Sequence, residues 1–185
     1  RASRPMNAMH KPSEDIPKPH PGSWKSVKRI ARDGFSLEVP AVAAFGAAGS
    51  EGAHAITGFP GCRYYCGITV SLESVAPTMT LDQYVAKRRL VDTTTNPDAA
   101  DWIPGPPREI SVHGERGLWM EIPCGDCTGG EIVTLHDAKI MSIHYTLDDR
   151  EGQQPGLECR LTRVAHTLEW LPSRRLERVP SHTER

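Results

Sequence analysis

The chain has 185 residues, 38% hydrophobic and 24% charged, with a formal net charge of −1. That suits one domain with polar ends, and so small a charge supplies no field to draw in nucleic acid or an anionic membrane. No apolar run is long enough to span a bilayer, and the odd count of five cysteines leaves one over from any full set of internal disulfides.

Residues 1–27 hold five prolines among Lys, His and Ser, with neither helical nor strand periodicity. They are read as an extended, disordered arm. The arm lacks the apolar middle section of a signal peptide. The chain begins at Arg1, which leaves two placements open: cytoplasmic, or secreted or envelope-bound if an upstream leader was removed. Order is expected near Val27. "GFSLEVP" sets Phe35, Leu37 and Val39 against Ser36 and Glu38, a half-buried strand stopped by Pro40. Residues 41–61 are small and Gly-rich and read as a loop, or a weak helical turn at 41–45. "CRYYCGITVSLES" (Cys62–Ser74) reads as a longer strand.

"TLDQYVAKRRL" (Thr80–Leu90) predicts a helix with a visible start. Thr80 and Gln83 have the capping-box spacing, and Leu81, Tyr84, Val85 and Arg88 share one face. A loop follows at 91–107, 17 residues with Trp102 and four prolines. Loops of that length are often functional or disordered. In 108–124, Ile110, Val112, Leu118, Met120, Ile122 and Cys124 are all even-numbered. The segment is read as one strand face with a bulge or bend at Gly114–Gly117. "EIVTLHDAKIMSIHYTL" predicts two strands joined at His136-Asp137-Ala138-Lys139. Leu157, Leu161, Val164, Ala165, Leu168 and Leu171 follow helical spacing. Residues 172–185 have no period and read as a flexible tail, leaving 28–171 as the domain.

Strand runs without regular alternation with helices predict an α+β fold with an antiparallel sheet. The opening "GFSLEVP", the helix "MTLDQYVAKR", the "VHG" of Val112–Gly114, the hairpin "EIVTLHDAKIMSIHYT" and the closing amphipathic helix together resemble the PsbP/DcrB-like superfamily over about residues 28–171. Loop 41–61 and the cysteines of "PCGDC" have no counterpart in that resemblance. It implies an α/β/α sandwich, an antiparallel sheet covered by helices on both faces. Trp119, on the otherwise polar face of its strand, would be sheltered by the second layer. Members of the superfamily are non-enzymatic modules: photosystem accessory subunits, envelope lipoproteins and effector chaperones. The resemblance therefore implies a binding or assembly role toward another protein, with no catalytic residue to carry over and no cofactor.

Two candidate sites come from the residues themselves. The first is Trp102 in its proline frame, which would suit a partner anchor, although a tryptophan covering the core is the stronger reading. The second is Cys124-Gly125-Asp126-Cys127. A redox pair needs a helix N-terminus to acidify its thiol, and here a strand pattern follows. A two-residue hairpin would set the two cysteines opposite one another, within disulfide range. Zinc would need Cys62 and Cys66 as well, or one of these with a histidine. Four residues of strand separate those two by roughly 13 Å, so the chain would have to bend at "CRYYC". Approach to Cys124 would further require the 62–74 strand to pair with the 109–124 strand. Free thiols and a disulfide rank ahead of zinc at Cys62, Cys66, Cys124 and Cys127. The histidines show no HExxH or HxH spacing. Cys159 and His166, about two helical turns apart, are too distant for a nucleophile–base pair.

Overall fold

Two-residue turns organise most of the chain. In the computed structural model, which describes residues 24, 26–32, 34–49, 52–60, 62, 66–95, 104–124, 127–148 and 157–171, the pattern recurs four times. Arg32 faces Phe35, Val112 faces Glu115, Cys124 faces Cys127 and His136 faces Lys139. The elements in order are β1 (Val27–Arg32), β2 (Phe35–Pro40), β3 (Ala44–Ala47), β4 (Ala53–Thr57), β5 (Cys66–Ser74), α1 (Leu81–Thr95), β6 (Arg108–Val112), β7 (Glu115–Cys124), β8 (Cys127–His136), β9 (Lys139–Asp148), α2 (Leu157–His166) and β10 (Glu169–Trp170). Among the described residues they form two antiparallel sheets, β1-β2-β10 and β3-β4-β5-β9-β8-β7-β6.

The expected sandwich, a single sheet with helices over both faces, is not what forms. The protein is mostly β. Against one face of the large sheet lies a layer that is itself largely sheet. Phe35, Leu37 and Val39 of β2 join Leu161, Val164, Ala165 and Leu168 against Ile68, Val70, Trp119, Ile132, Ile143, Tyr145 and Leu147. Each fully buried side chain of this kind stabilises by roughly 1.5–3 kcal/mol. On the other face α1 covers only a small cluster, in which Leu81 and Val85 meet Leu118, Met120, Val133 and Ile140.

Three local readings account for the difference. First, β2 has partners on both sides, and one of them, β1, is mostly exposed and carries Lys28, Arg29 and Arg32. An edge strand of that kind shows no hydrophobic alternation. Second, the expected loop 41–61 contains the β3–β4 hairpin, which buries Ala53 and Ile56, with Phe59 buried just after it. Third, the closing helix ends at His166. Glu38 donates its backbone N–H to Thr167 Oγ1 (2.9 Å), Leu171 donates to Gly34 O (2.7 Å), and the chain continues as β10 along β2. Leu168 is therefore buried beyond the helix, and Leu171 is partly exposed.

The 108–124 segment is also two strands, not one. His113 (φ +49) and Gly114 (φ +82) make a two-residue turn with both residues in the left-handed region, the geometry that matches strand twist. Crossing that turn switches parity. Ile110 lies opposite Gly117, and Arg108 opposite Trp119. Ile110 and Val112 thus share the main core with Trp119, while Leu118 and Met120 lie on the opposite face beneath α1. Trp119 is only 2% exposed and donates its indole N–H to Tyr145 Oη (3.3 Å).

Tyr145 depends on Gly130, which lies opposite it across β8 and β9. A Cβ on Gly130 would sit 2.4 Å from Tyr145 Oη, so the buried phenol occupies the space of the missing side chain. The β8–β9 turn, read correctly from "HDAK", holds Asp137 (φ +46) and Ala138 (φ +58) in the left-handed region without a glycine. That backbone is costly for an L-residue with a Cβ. Ala138→Gly should therefore raise the unfolding free energy by about 0.5–1 kcal/mol. Urea titration checks this, and an unchanged or lower midpoint would contradict it.

Candidate functional site

Helix α1 is placed by its ends and by one face. Thr80 donates its backbone N–H to Gln83 Oε1 (3.0 Å), and Gln83 returns the bond to Thr80 Oγ1 (3.2 Å), the reciprocal capping box. The face carrying Leu81, Tyr84, Val85 and Arg88 then meets the sheet, and much of what it meets is polar. Asp82, beside that face, accepts both guanidinium arms of Arg116 on β7 (2.8 and 3.0 Å), and Arg116 also reaches Glu109 at 3.2 Å. The Arg116 hydrogen bond holds the Asp82 carboxyl below its ordinary range. Tyr84 donates to Glu73 Oε2 (2.8 Å), and burial together with that carboxylate pushes its phenol up to about 12.

Beyond the apolar contacts lies the most unusual group of the structure. Glu131, in the middle of β8, is only 1% exposed. One of its carboxylate oxygens receives Arg88 Nη1 and the Ser142 hydroxyl, and the other has no hydrogen-bond partner among the described residues. His144 faces it across the strand pair. Burial pushes the His144 imidazole below its ordinary value, and the charge of Glu131 opposes that push. An acid in this position is tolerable only with a cation beside it. The group works as a charged peg that fixes the helix on the sheet. Sequence reasoning missed Glu131. The one trace of it was Arg88 on an otherwise apolar helix face, which implied an acid underneath.

The cysteines gather at one end of the large sheet. Cys62 and Cys66 form a disulfide with their Cα atoms 6.2 Å apart. The chain therefore bends before β5, and Cys62 donates its N–H to Phe59 O (3.2 Å) in the turn. The 13 Å separation expected of a continuous strand does not occur. Cys127 is disulfide-bonded too, and the register sets Cys124 directly opposite it, as the two-residue hairpin required. The strand pairing needed for a shared site is absent. β5 pairs with β4 and β9, and both β9 and β8 separate it from β7. Cys66 is opposite Leu147 and Cys127 is opposite Asp148, so one strand spacing on each side of β9 keeps their backbones ~10 Å apart. A zinc site on Cys62, Cys66, Cys124 and Cys127 would need thiolates, whereas a sulfur in a disulfide is not one. Among the described residues no three His, Cys, Asp or Glu side chains gather to hold a metal ion.

Trp102 lies outside the described residues. Of its 91–107 segment, 91–95 continues α1, and 104–107 runs beside β7 with Gly105 donating to Glu121 O (2.7 Å). Trp24, placed in the N-terminal arm by the sequence pattern, is buried in the core against Phe59 with ring centres 5.9 Å apart. His136 is bonded through Nδ1 to Glu115 (2.7 Å) and stacked on Trp170. No described helix is long and apolar enough to cross a membrane.

No protein-family model and no curated protein matches the sequence. Solved structures do match the arrangement of strands and helices. The solution structure of cyanobacterial PsbP (CyanoP) from Synechocystis sp. PCC 6803 superposes with a TM-score of 0.58 at 12% identity, over 82% of this chain and 96% of that one. The fold is that of PsbP. A protein from Bacteroides thetaiotaomicron VPI-5482 superposes with a TM-score of 0.52 at 13% identity, over 75% of this chain and 46% of that one. The PsbP resemblance seen in the sequence thus holds at the level of fold, and the fold is more β-rich than the sandwich inferred from it.

Two measurements follow. Among the described residues Cys62, Cys66 and Cys127 are in disulfides, and Cys124 faces Cys127 across the hairpin, so the chain denatured without reductant should show one reactive thiol and all five after reduction. Peptide mapping should join Cys127 to Cys124, and five thiols before reduction would refute the bonding. Arg88→Met leaves the Glu131 charge uncompensated and should cost about 2 kcal/mol in urea unfolding. Adding Glu131→Gln should recover much of that loss. Additive losses would show that the two residues do not act as a pair.

Proposed function

We propose that the protein is a non-catalytic binding or assembly module of PsbP type whose partner is another protein. The observation that carries this reading is the shared fold along nearly the whole of cyanobacterial PsbP. The polar chemistry supports it. Ionisable groups are engaged with one another in ways that hold elements together: buried Glu131 with half-buried Arg88, half-buried His136 with Glu115, and, at the surface, Arg116 with Asp82 and Glu109. A catalytic site would instead aim such groups at a substrate.

The cysteine reading joins this one as a statement about setting. The Cys62–Cys66 and Cys127 disulfides favour a disulfide-stabilised module that works where such bonds persist, outside a reducing cytosol. The test is crosslinking of the tagged full chain in its own cells under non-reducing conditions, followed by reconstitution from purified components. A defined protein should be recovered and should rebind the pure chain. A chain that rebinds no recovered protein, yet turns over a small molecule, would overturn the proposal.

A further inference from the structure

Among the described residues the large sheet is open, and its two ends are protected very differently. β6, at one end, carries Arg108 and Glu109, and charged side chains of this kind discourage strand addition. β3, at the other end, lies in a run from Pro40 to Gly49 with no charged residue. Val42 is 72% exposed, and Ala44, Gly46 and Ala47 are exposed as well. A Cβ on Gly46 would meet nothing within 4 Å.

The hydrogen-bond phase of this edge is set by its turn. Ala48 donates to Ala53 O (2.9 Å), and β3 pairs with β4 so that Ala47 faces His54. In an antiparallel pair bonding alternates, so residues 44, 46 and 48 bond inward while the N–H and C=O of Phe45 and Ala47 point away from the sheet. Two cations of β1 border this edge. Lys28 Nζ donates to Ala43 O (2.7 Å), and the Arg32 guanidinium lies 5.8 Å from the centre of the Phe45 ring. Among the described residues neither is ion-paired with a carboxylate, whereas Arg29 beside them pairs with Glu169 at 2.7 Å.

We propose that β3 is the docking strand for an extended, carboxylate-bearing segment of a partner protein. The segment adds to the sheet through the outward backbone groups of Phe45 and Ala47 and sets its acids against Lys28 and Arg32. This rests on the protein-binding reading above and names the surface and the chemistry of its partner. Strand addition takes affinity from main-chain bonds and selectivity from flanking side chains, and both are present here. A second copy of the chain suits the edge less well, because it would bring the Lys28 and Arg32 of both copies to one seam.

The test uses the full chain and a labelled peptide of roughly six residues alternating valine with glutamate, against the same peptide with lysine for glutamate. Fluorescence anisotropy should show the acidic peptide binding about tenfold or more tighter than the basic one, with Arg32→Glu weakening it by about tenfold. Ala47→Pro removes only an outward N–H, which an edge strand tolerates. It should abolish binding without moving the melting temperature. Equal binding of both peptides, or binding indifferent to Ala47→Pro, would overturn the proposal. So would a dimer, seen by light scattering, that Ala47→Pro dissolves, since the edge would then belong to a second copy. If the partner recovered by crosslinking rebinds the Ala47→Pro chain undiminished, the protein-binding reading stands and β3 is removed from it.

Discussion

Strand β9 is paired along nearly its whole length on both sides, and the rest of the molecule is arranged around that constraint. Lys139 through Leu147 lie opposite β5, and Lys139 through Asp148 lie opposite β8. Because side chains alternate, a slip of one residue would turn Met141, Ile143, Tyr145 and Leu147 out of the core together. The Tyr145–Gly130 contact blocks the slip that would bring Glu131 beneath the buried phenol, since only a residue without a Cβ can lie there. In that direction the register rests on one large and one absent side chain meeting across a strand pair. Trp119 then completes the wall by donating to the same phenol.

The two faces of this sheet are held by different physics. On the β2 side, apolar burial dominates, and the covering layer is a small sheet closed by β10. On the α1 side, few apolar contacts are available, and the helix is positioned by directed polar ties to Arg116, Glu73 and Glu131. Directed ties specify an orientation that a small greasy patch would leave loose. The acid at Glu131 carries a desolvation penalty, and in return α1 has one rotational setting on the sheet. Arg88 is the hinge of that arrangement, because it remains partly in water while its partner does not.

Much of this was legible where local chemistry is self-contained. The Thr80–Gln83 capping box, the apolar face of α1, the turn at "HDAK" and the two-residue hairpin that sets Cys124 opposite Cys127 all follow from a few neighbouring residues, and the structure bears each out. What was not legible depends on distant partners. β1 is an exposed cationic edge whose only signal is Asp33-Gly34 ahead of β2. β3 and β4, AFGA and AHAIT, are short and half made of Ala and Gly, too little to carry a period. The parity switch at His113-Gly114 was hidden because six even-numbered apolar residues mimic one continuous face. In the candidate site, the cysteines were found but their grouping was not, since that required knowing that β8 and β9 lie between β5 and β7.

The two-residue turns have a consequence for how such a chain can change over time. Each of them fixes which side of the sheet the next strand shows, so inserting or deleting a single residue there would invert every side chain downstream in that strand. Substitution within the strands carries no such penalty if size and polarity are kept. A lineage under these rules conserves spacing while its letters drift. Relatives of this protein should therefore align by the lengths between turns long after their residues have ceased to match.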